Sequence, residues 1–175
     1  LSCSPRGRAA ESYRLSRRIV ELLLRREPTA VLVERFVGDG ALSHVDENYA
    51  AALGATQPSP EETAAEGAWQ GSMSRSEELI RELEGADAVV IGTPMHNFTV
   101  PSALKAWIDH VVRVRRTFKV GREGKLGMLR DRPVYVAVSS GGIFSGERAR
   151  QPDFLRPYLE AVLATIGLHD LSFFS

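Results

Sequence analysis

The chain has 175 residues, enough for one domain with a full hydrophobic core and too few for two comfortable ones. Its 22 Lys and Arg balance 22 Asp and Glu, and a zero net charge argues against a nucleic-acid binder, which needs a concentrated positive face. One cysteine, Cys3, cannot close an internal disulfide, which fits a reducing compartment. No apolar stretch approaches the roughly 20 residues of a membrane helix, and no secretory signal is visible. The expectation is a soluble cytoplasmic protein with neither membrane nor nucleic acid as a partner. The densest basic cluster, Arg113, Arg115, Arg116 and Lys119, reads as a solvated face or a subunit contact.

In chain order, Leu1-Ser2-Cys3-Ser4 reads as the tail of a strand and Pro5-Arg6-Gly7-Arg8 as a turn. A helix is expected from about Ala10, with Leu15, Ile19, Leu22 and Leu23 as its buried stripe and Pro28 as its stop. Ala30 to Val37 (AVLVERFV) reads as the second strand. Gly38 to Pro60 has weak periodicity and many Gly, Ala, Asn, Asp and Pro, and reads as an extended surface excursion. Pro60-Glu61-Glu62 then opens a helical stretch, its carboxylates favourable at a helix N-terminus, that reaches Gly85 through Leu79, Ile80 and Leu83. The pairs Glu61-Glu62 and Glu77-Glu78 read as solvated faces.

The stretch from Asp87 to Trp107, DAVVIGTPMHNFTVPSALKAW, organises the chain. Ala88 to Ile91 is an unbroken apolar run suited to a strand buried on both faces of a parallel sheet. Gly92-Thr93-Pro94 ends it, since Pro94 has no N–H to give a neighbour. A helix starts at Pro101 and carries Leu104, Trp107, Ile108 and Val111 on one apolar face. Between them lies the loop Met95, His96, Asn97, Phe98, which offers backbone amides, a side-chain amide and a ring. Open α/β sheets bind ligands at such a loop, beyond the carboxyl end of a central strand.

Thr117 to Arg132 holds Gly121, Gly124 and Gly127 and reads as a loop or short hairpin. Pro133 to Ser139 is another buried strand, followed by Ser140-Gly141-Gly142-Ile143-Phe144. A last amphipathic helix carries Tyr158, Leu159, Val162, Leu163 and Ile166, with Gly167 as its stop, and a strand begins at His169. Strands alternating with helices predict one α/β domain over residues 1–175, with a parallel sheet covered on both faces. The opening at Leu1 and the close at Phe173-Phe174-Ser175 read as strands cut short, so a longer natural protein is expected.

If the sheet order is 2-1-3-4-5, three loops share one rim: Ser4 to Ser12, Met95 to Phe98, and Ser139 to Phe144. The first leads into a helix N-terminus, where free N–H groups and the helix dipole favour a phosphate, although a serine there is more often an ordinary cap. Gly141-Gly142 lets the backbone approach a ligand, and Phe98 and Phe144 sit in loops rather than in an apolar stripe. Other chemistries lack their signatures. The histidines His44, His96, His110 and His169 have no metal-ligand spacing. There is no G-x-S-x-G elbow, no G-x-G-x-x-G after a strand and no P-loop lysine.

Pro94-Met95-His96-Asn97-Phe98-Thr99-Val100-Pro101-Ser102-Ala103-Leu104-Lys105 resembles the P-M-[YH]-N-F-x-[IV]-P-x-x-L-K signature of FMN-dependent NADH:quinone oxidoreductases, the azoreductase family. Thr117-Phe118, Ser139-Ser140-Gly141-Gly142, Pro157-Tyr158-Leu159 and Ile166-Gly167 continue the resemblance in order over essentially the whole chain. It implies a flavodoxin-like fold, with a five-stranded parallel sheet of order 2-1-3-4-5, in a homodimer carrying one FMN per subunit. It also implies a ping-pong reaction in which the flavin takes a hydride from NADH or NADPH and passes two electrons to a quinone, an azo compound or a nitroaromatic. By position, Ser4, Ala10, Glu11 and Ser12 would hold the phosphate. Met95, His96, Asn97 and Phe98 would line the isoalloxazine, Ser139, Ser140, Gly141 and Gly142 would meet its pyrimidine edge, and Phe98 and Phe144 would stack flat substrates, joined by Phe118 from the same or the partner subunit. Ala10 and Glu11 depart from the hydroxyl or amide side chains common there, so the Glu11 carboxylate must point away from a phosphate. His96 replaces a common Tyr, and Phe144 a His or Tyr. The rival readings are an electron carrier of the flavodoxin type, usually strongly acidic where this chain is balanced, and a flavin-free interaction module.

Overall fold

The computed structural model describes residues 1–54 and 71–175. In chain order the elements are α1 (Glu11–Arg26), α2 (Glu47–Gly54), α3 (Ser72–Gly85), β1 (Val89–Pro94), α4 (Ser102–Val111), β2 (Phe118–Gly121), β3 (Gly124–Gly127), β4 (Val134–Ser139), α5 (Leu155–Ala164) and β5 (Leu171–Phe174). The helix start expected at Pro60, with Glu61-Glu62, lies outside the described residues.

The main sheet is parallel, in the order β1-β4-β5. Val89 faces Val134 and Pro94 faces Ser139, while β5 pairs from Leu171 opposite Val134 to Phe174 opposite Ala137. Successive residues Val136, Ala137 and Val138 are all buried, so β4 is covered on both faces, as an apolar β-branched run requires. On the free side of β1 the segment 1–4 runs parallel to it. Gly92 N–H donates to Leu1 O at 2.8 Å and Cys3 N–H to Gly92 O at 2.9 Å. Beyond that segment, Ser2 N–H donates to Arg35 O at 2.8 Å and Val37 N–H to Ser2 O at 2.9 Å.

These last two contacts are single bridges at Ser2, to Gly92 and to Phe36. The expected five-stranded sheet is thus corrected to three strands flanked by two bridged segments. The reason is local: among the described residues Val31, Leu32 and Val33 have no backbone partner, and they stand 87%, 44% and 64% exposed. With Leu1, Val89 and Val90 they line a cleft of about 1030 Å³ at the amino-terminal end of β1.

Helix α1 lies directly on β1. A Cβ on Gly92 would come within 2.9 Å of Ser12 O and Ser16 Oγ, so this crossing tolerates only a glycine. So close an approach leaves room for small side chains, and the buried face of α1 is Ser12, Ser16, Ile19 and Val20. The expected stripe is corrected accordingly: Leu22 is 56% exposed, and Leu15 and Leu23 are half-buried. Leu79, Ile80 and Leu83 of α3, Leu104, Trp107, Ile108 and Val111 of α4, and Leu155, Leu159 and Leu163 of α5 join Ile91, Val136 and Val138 in one core. The surface excursion contains α2, begun by Asp46 Oδ1 accepting from Tyr49 N–H at 2.8 Å and pinned by Tyr49 Oη–H donating to Asp109 O at 3.0 Å. No helix among the described residues is long and apolar enough to cross a membrane.

Candidate functional site

β1 and β4 end level with one another, and Met95 N–H donates to Ser139 O at 2.7 Å, which joins the two following loops at their bases. In the first loop, His96 and Thr99 exchange both backbone bonds, at 2.9 and 3.0 Å. The residues between them, Asn97 and Phe98, have φ of 49° and 70°. Two positive φ values in a two-residue connection are the mark of a type I′ turn, which Asn accepts readily and Phe does not. Phe98 is held there by Phe154 N–H, which donates to Phe98 O at 3.0 Å. Met95 is buried, while His96, Asn97 and Phe98 face outward, Phe98 44% exposed. A strained loop thus presents an amide, an imidazole and a ring on one rim.

In the second loop Ser139 and Ser140 are half-buried and Gly141 and Gly142 exposed. Ser140 Oγ accepts from Gly142 N–H at 3.3 Å and from Gln151 Nε2 at 2.7 Å, and the same nitrogen lies 3.4 Å from Met95 Sδ.

The loop from Ser4 to Ser12 starts level with these two, since segment 1–4 runs parallel to β1. Ser4 is buried, and its Oγ accepts from Arg6 N–H at 3.2 Å. Ala10, the extended residue just before α1, has no side chain to cap the helix, so its first N–H groups gain no side-chain acceptor among the described residues. Ser12 Oγ is buried without a hydrogen-bond partner among the described residues. Exposed Glu11 is taken up by Arg14 at 2.7 Å, which removes its carboxylate as a competitor for the helix end.

Within one chain, two of the expected stacking rings do not join this rim. Phe144 is only 8% exposed, with the Arg156 guanidinium 5.4 Å from its ring centre, and it belongs to the core. Phe118 is also 8% exposed and lies on the β2–β3 hairpin. That hairpin is tied near the amino-terminal ends of β4 and β5, where Met128 N–H donates to Thr117 O and Leu129 N–H to Ile166 O. Within one chain it is at the opposite edge of the sheet from Phe98. The sequence reading missed Phe154, 58% exposed beside Phe98, and Gln151. Neither carries a local signal, because both reach the rim through a long irregular segment after Gly142.

The lone thiol of Cys3 is fully buried, and burial pushes its pKa up to about 12, so it is no nucleophile at neutral pH. Among the described residues no three His, Cys, Asp or Glu gather as metal ligands.

The family described as Flavodoxin-like fold matches residues 1–175. FMN-dependent NADH:quinone oxidoreductase 4 of Pseudomonas fluorescens is 51% identical over 173 residues, 99% of this chain and 80% of that protein. This chain belongs to the FMN-dependent NADH:quinone oxidoreductases of the flavodoxin-like fold. Oxidoreductase 5 of Burkholderia lata, of the same name, is 46% identical over 99% of the chain and 80% of its own length. Among solved structures, an azoreductase from Bacillus anthracis str. Sterne superposes with a TM-score of 0.78 at 21% identity, over 98% of this chain and 82% of that one. An FMN-dependent NADH-azoreductase from Bacillus anthracis str. Ames Ancestor, in complex with FMN, gives 0.70 at 21% identity over the same shares. At that identity the likeness is one of fold.

Proposed function

We propose that this oxidoreductase binds FMN on the rim formed by its three loops and uses it to reduce quinones with NADH. The observation that carries the reading is Ser12. A fully buried hydroxyl without a partner is costly, and Ser12 Oγ finds none among the described residues, in the first turn of a helix that no side chain among them caps. A phosphate would satisfy the hydroxyl and the free N–H groups together and would sit at the positive end of the helix dipole. Ser4 and the backbone at Ala10 and Glu11 complete that cradle. Met95, His96, Asn97 and Phe98 line the ring system, and Ser139, Ser140, Gly141 and Gly142 meet its polar edge.

When bound, FMN would supply the redox chemistry, a net two-electron transfer from the nicotinamide to the acceptor. The chain's residues bind, orient and exclude water, and none need act as nucleophile. Phe98, with Phe154 beside it, offers an exposed aromatic surface on which a nicotinamide and then a quinone, azo compound or nitroaromatic would stack in turn, as a ping-pong order requires. NADH is the donor in the relatives' names, and NADPH is the alternative. Residues 1–175 form one domain in this reading, its segments ordered 2-1-3-4-5 through the bridges at Ser2, working as a homodimer in the cytoplasm.

The test is the visible spectrum of the purified protein before and after addition of FMN and removal of the excess, followed by steady-state NADH oxidation with a benzoquinone. Retained flavin bands and quinone-dependent turnover are expected. Retained flavin without turnover would leave an electron carrier, and a colourless protein that lets added FMN go would sink the reading.

A further inference from the structure

The loop after Gly142 places a side chain that the family signature does not contain. Gln151 Nε2 lies 2.7 Å from Ser140 Oγ and 3.4 Å from Met95 Sδ. Its amide packs against Gly142 so tightly that a Cβ there would fall 2.7 Å from Gln151 Oε1. The thioether only accepts, which fixes the amide with its nitrogen toward Met95 and Ser140. One side chain therefore holds together two loops that follow different strands.

A hydroxyl has one O–H and two lone pairs. At Ser140 the lone pairs receive Gly142 N–H at 3.3 Å and the Gln151 amide N–H at 2.7 Å. What remains is the O–H, so Ser140 is restricted to donating. We infer that Gln151 is a positioning residue that sets Ser140 as a hydrogen-bond donor toward the pyrimidine edge of FMN and thereby tunes the cofactor's affinity and redox potential. The inference rests on the FMN reading of this rim. A fixed donor at that edge stabilises the electron-rich reduced cofactor more than the oxidised one, so it raises the midpoint potential.

The experiment compares Gln151→Met, which keeps length and packing but cannot donate, with Gln151→Glu, whose carboxylate accepts and would take the Ser140 proton for itself. FMN affinity is read by flavin fluorescence quenching and midpoint potential by dye-coupled titration, with the thermal midpoint as a check on folding. Gln151→Met is expected to weaken FMN binding a few-fold, and Gln151→Glu about tenfold or more. Both should lower the midpoint potential. In a Ser140→Ala background Gln151→Met should add nothing, because its effect passes through that hydroxyl. Wild-type protein that fails to bind FMN would overturn the functional reading itself. Wild-type binding with unchanged affinity and potential in both variants, or effects that simply add to Ser140→Ala, would overturn the role of Gln151 alone. Should Gln151→Met prove unfolded, Gln151→Glu and its potential decide the matter.

Discussion

The two edges of the parallel sheet treat their polar groups in opposite ways. At the amino-terminal edge arginines satisfy most of the polar groups, His110 Nδ1 being buried without a partner among the described residues. The Arg132 guanidinium donates to the carbonyls of Leu83, Glu84 and Ala86, closing the end of α3. Glu77 is gripped by Arg113 and Arg116, Arg116 reaches on to Glu84 at 2.6 Å, and Arg113 also donates to Ser76 Oγ at 3.0 Å. At the carboxyl edge the first turn of α1 has no side-chain cap, Ser12 Oγ has no partner among the described residues, and Asn97 and Phe98 sit at positive φ. One edge is finished by its own side chains. The other leaves the start of α1 uncapped and Ser12 Oγ without a partner among the described residues.

The largest effect expected from breaking this contrast lies at the finished edge. Glu77→Gln leaves the buried Arg113 guanidinium short of its counter-charge and should destabilise the fold by about 3 kcal/mol. FMN affinity should stay within about twofold, since the two edges share no partners. The pH dependence gives the same contrast a sign. Burial pushes the Glu77 carboxyl upward, but the hydrogen bonds from Arg116 and Arg113 outweigh it and hold the pKa at about 2, against an ordinary 4.5. The unfolded chain therefore takes up the proton first. The stabilisation is complete above about pH 4.5 and disappears as pH falls toward about 2. Urea midpoints across that window should fall steeply for the wild type and less steeply for Glu77→Gln. Equal slopes would mean that the network contributes little.

Ser12→Ala probes the open edge with the opposite signature. Removing a buried hydroxyl without a partner takes away a desolvation cost, so the FMN-free protein should be as stable as the wild type or slightly more stable. Retention of FMN should weaken about tenfold, the worth of one hydrogen bond to a charged group. Calorimetry on the FMN-free protein and a flavin titration separate the two. A variant that loses stability and keeps its FMN affinity would place Ser12 among the structural residues.

What could be read from the sequence were the features contained in one short stretch. The run from Val89 through Phe98 and on into α4 has its strand, loop and helix in succession, and periodicity and punctuation locate all three. AVLVERFV failed as a strand because strand character is conferred by a neighbour. Val37 has its bond to Ser2, whereas Val31 to Val33 have no backbone partner among the described residues. Phe144 was misjudged for a related reason, since a phenylalanine in a loop gives no sign of whether an arginine or a core lies over it. Half of the basic cluster departs from a solvated face: Arg115 and Lys119 are exposed, but Arg113 and Arg116 pair with Glu77 and Glu84, and Glu77 is no solvated face. Those glutamates lie more than thirty residues away, on α3, beyond any local pattern.

Phe98 shows whether the open edge carries strain. Phe98 holds φ of 70°, a region that costs a residue with a Cβ about 1 kcal/mol or more, whereas glycine adopts it freely. Phe98→Gly relieves that cost, removes a ring that is 44% exposed, and leaves the backbone bond from Phe154 N–H intact. Against the gain stands the greater freedom of glycine in the unfolded chain, worth about 0.5–1 kcal/mol. The net should be a protein equal in stability or about 0.5 kcal/mol more stable. Function should move the other way, with the KM for a quinone rising several-fold as the stacking surface is lost. A ring kept in an unfavourable conformation at no benefit to the fold is held there for what it contacts. If Phe98→Gly instead unfolds more easily by over about 1 kcal/mol, the ring is packing, and the open edge is less open than its geometry implies.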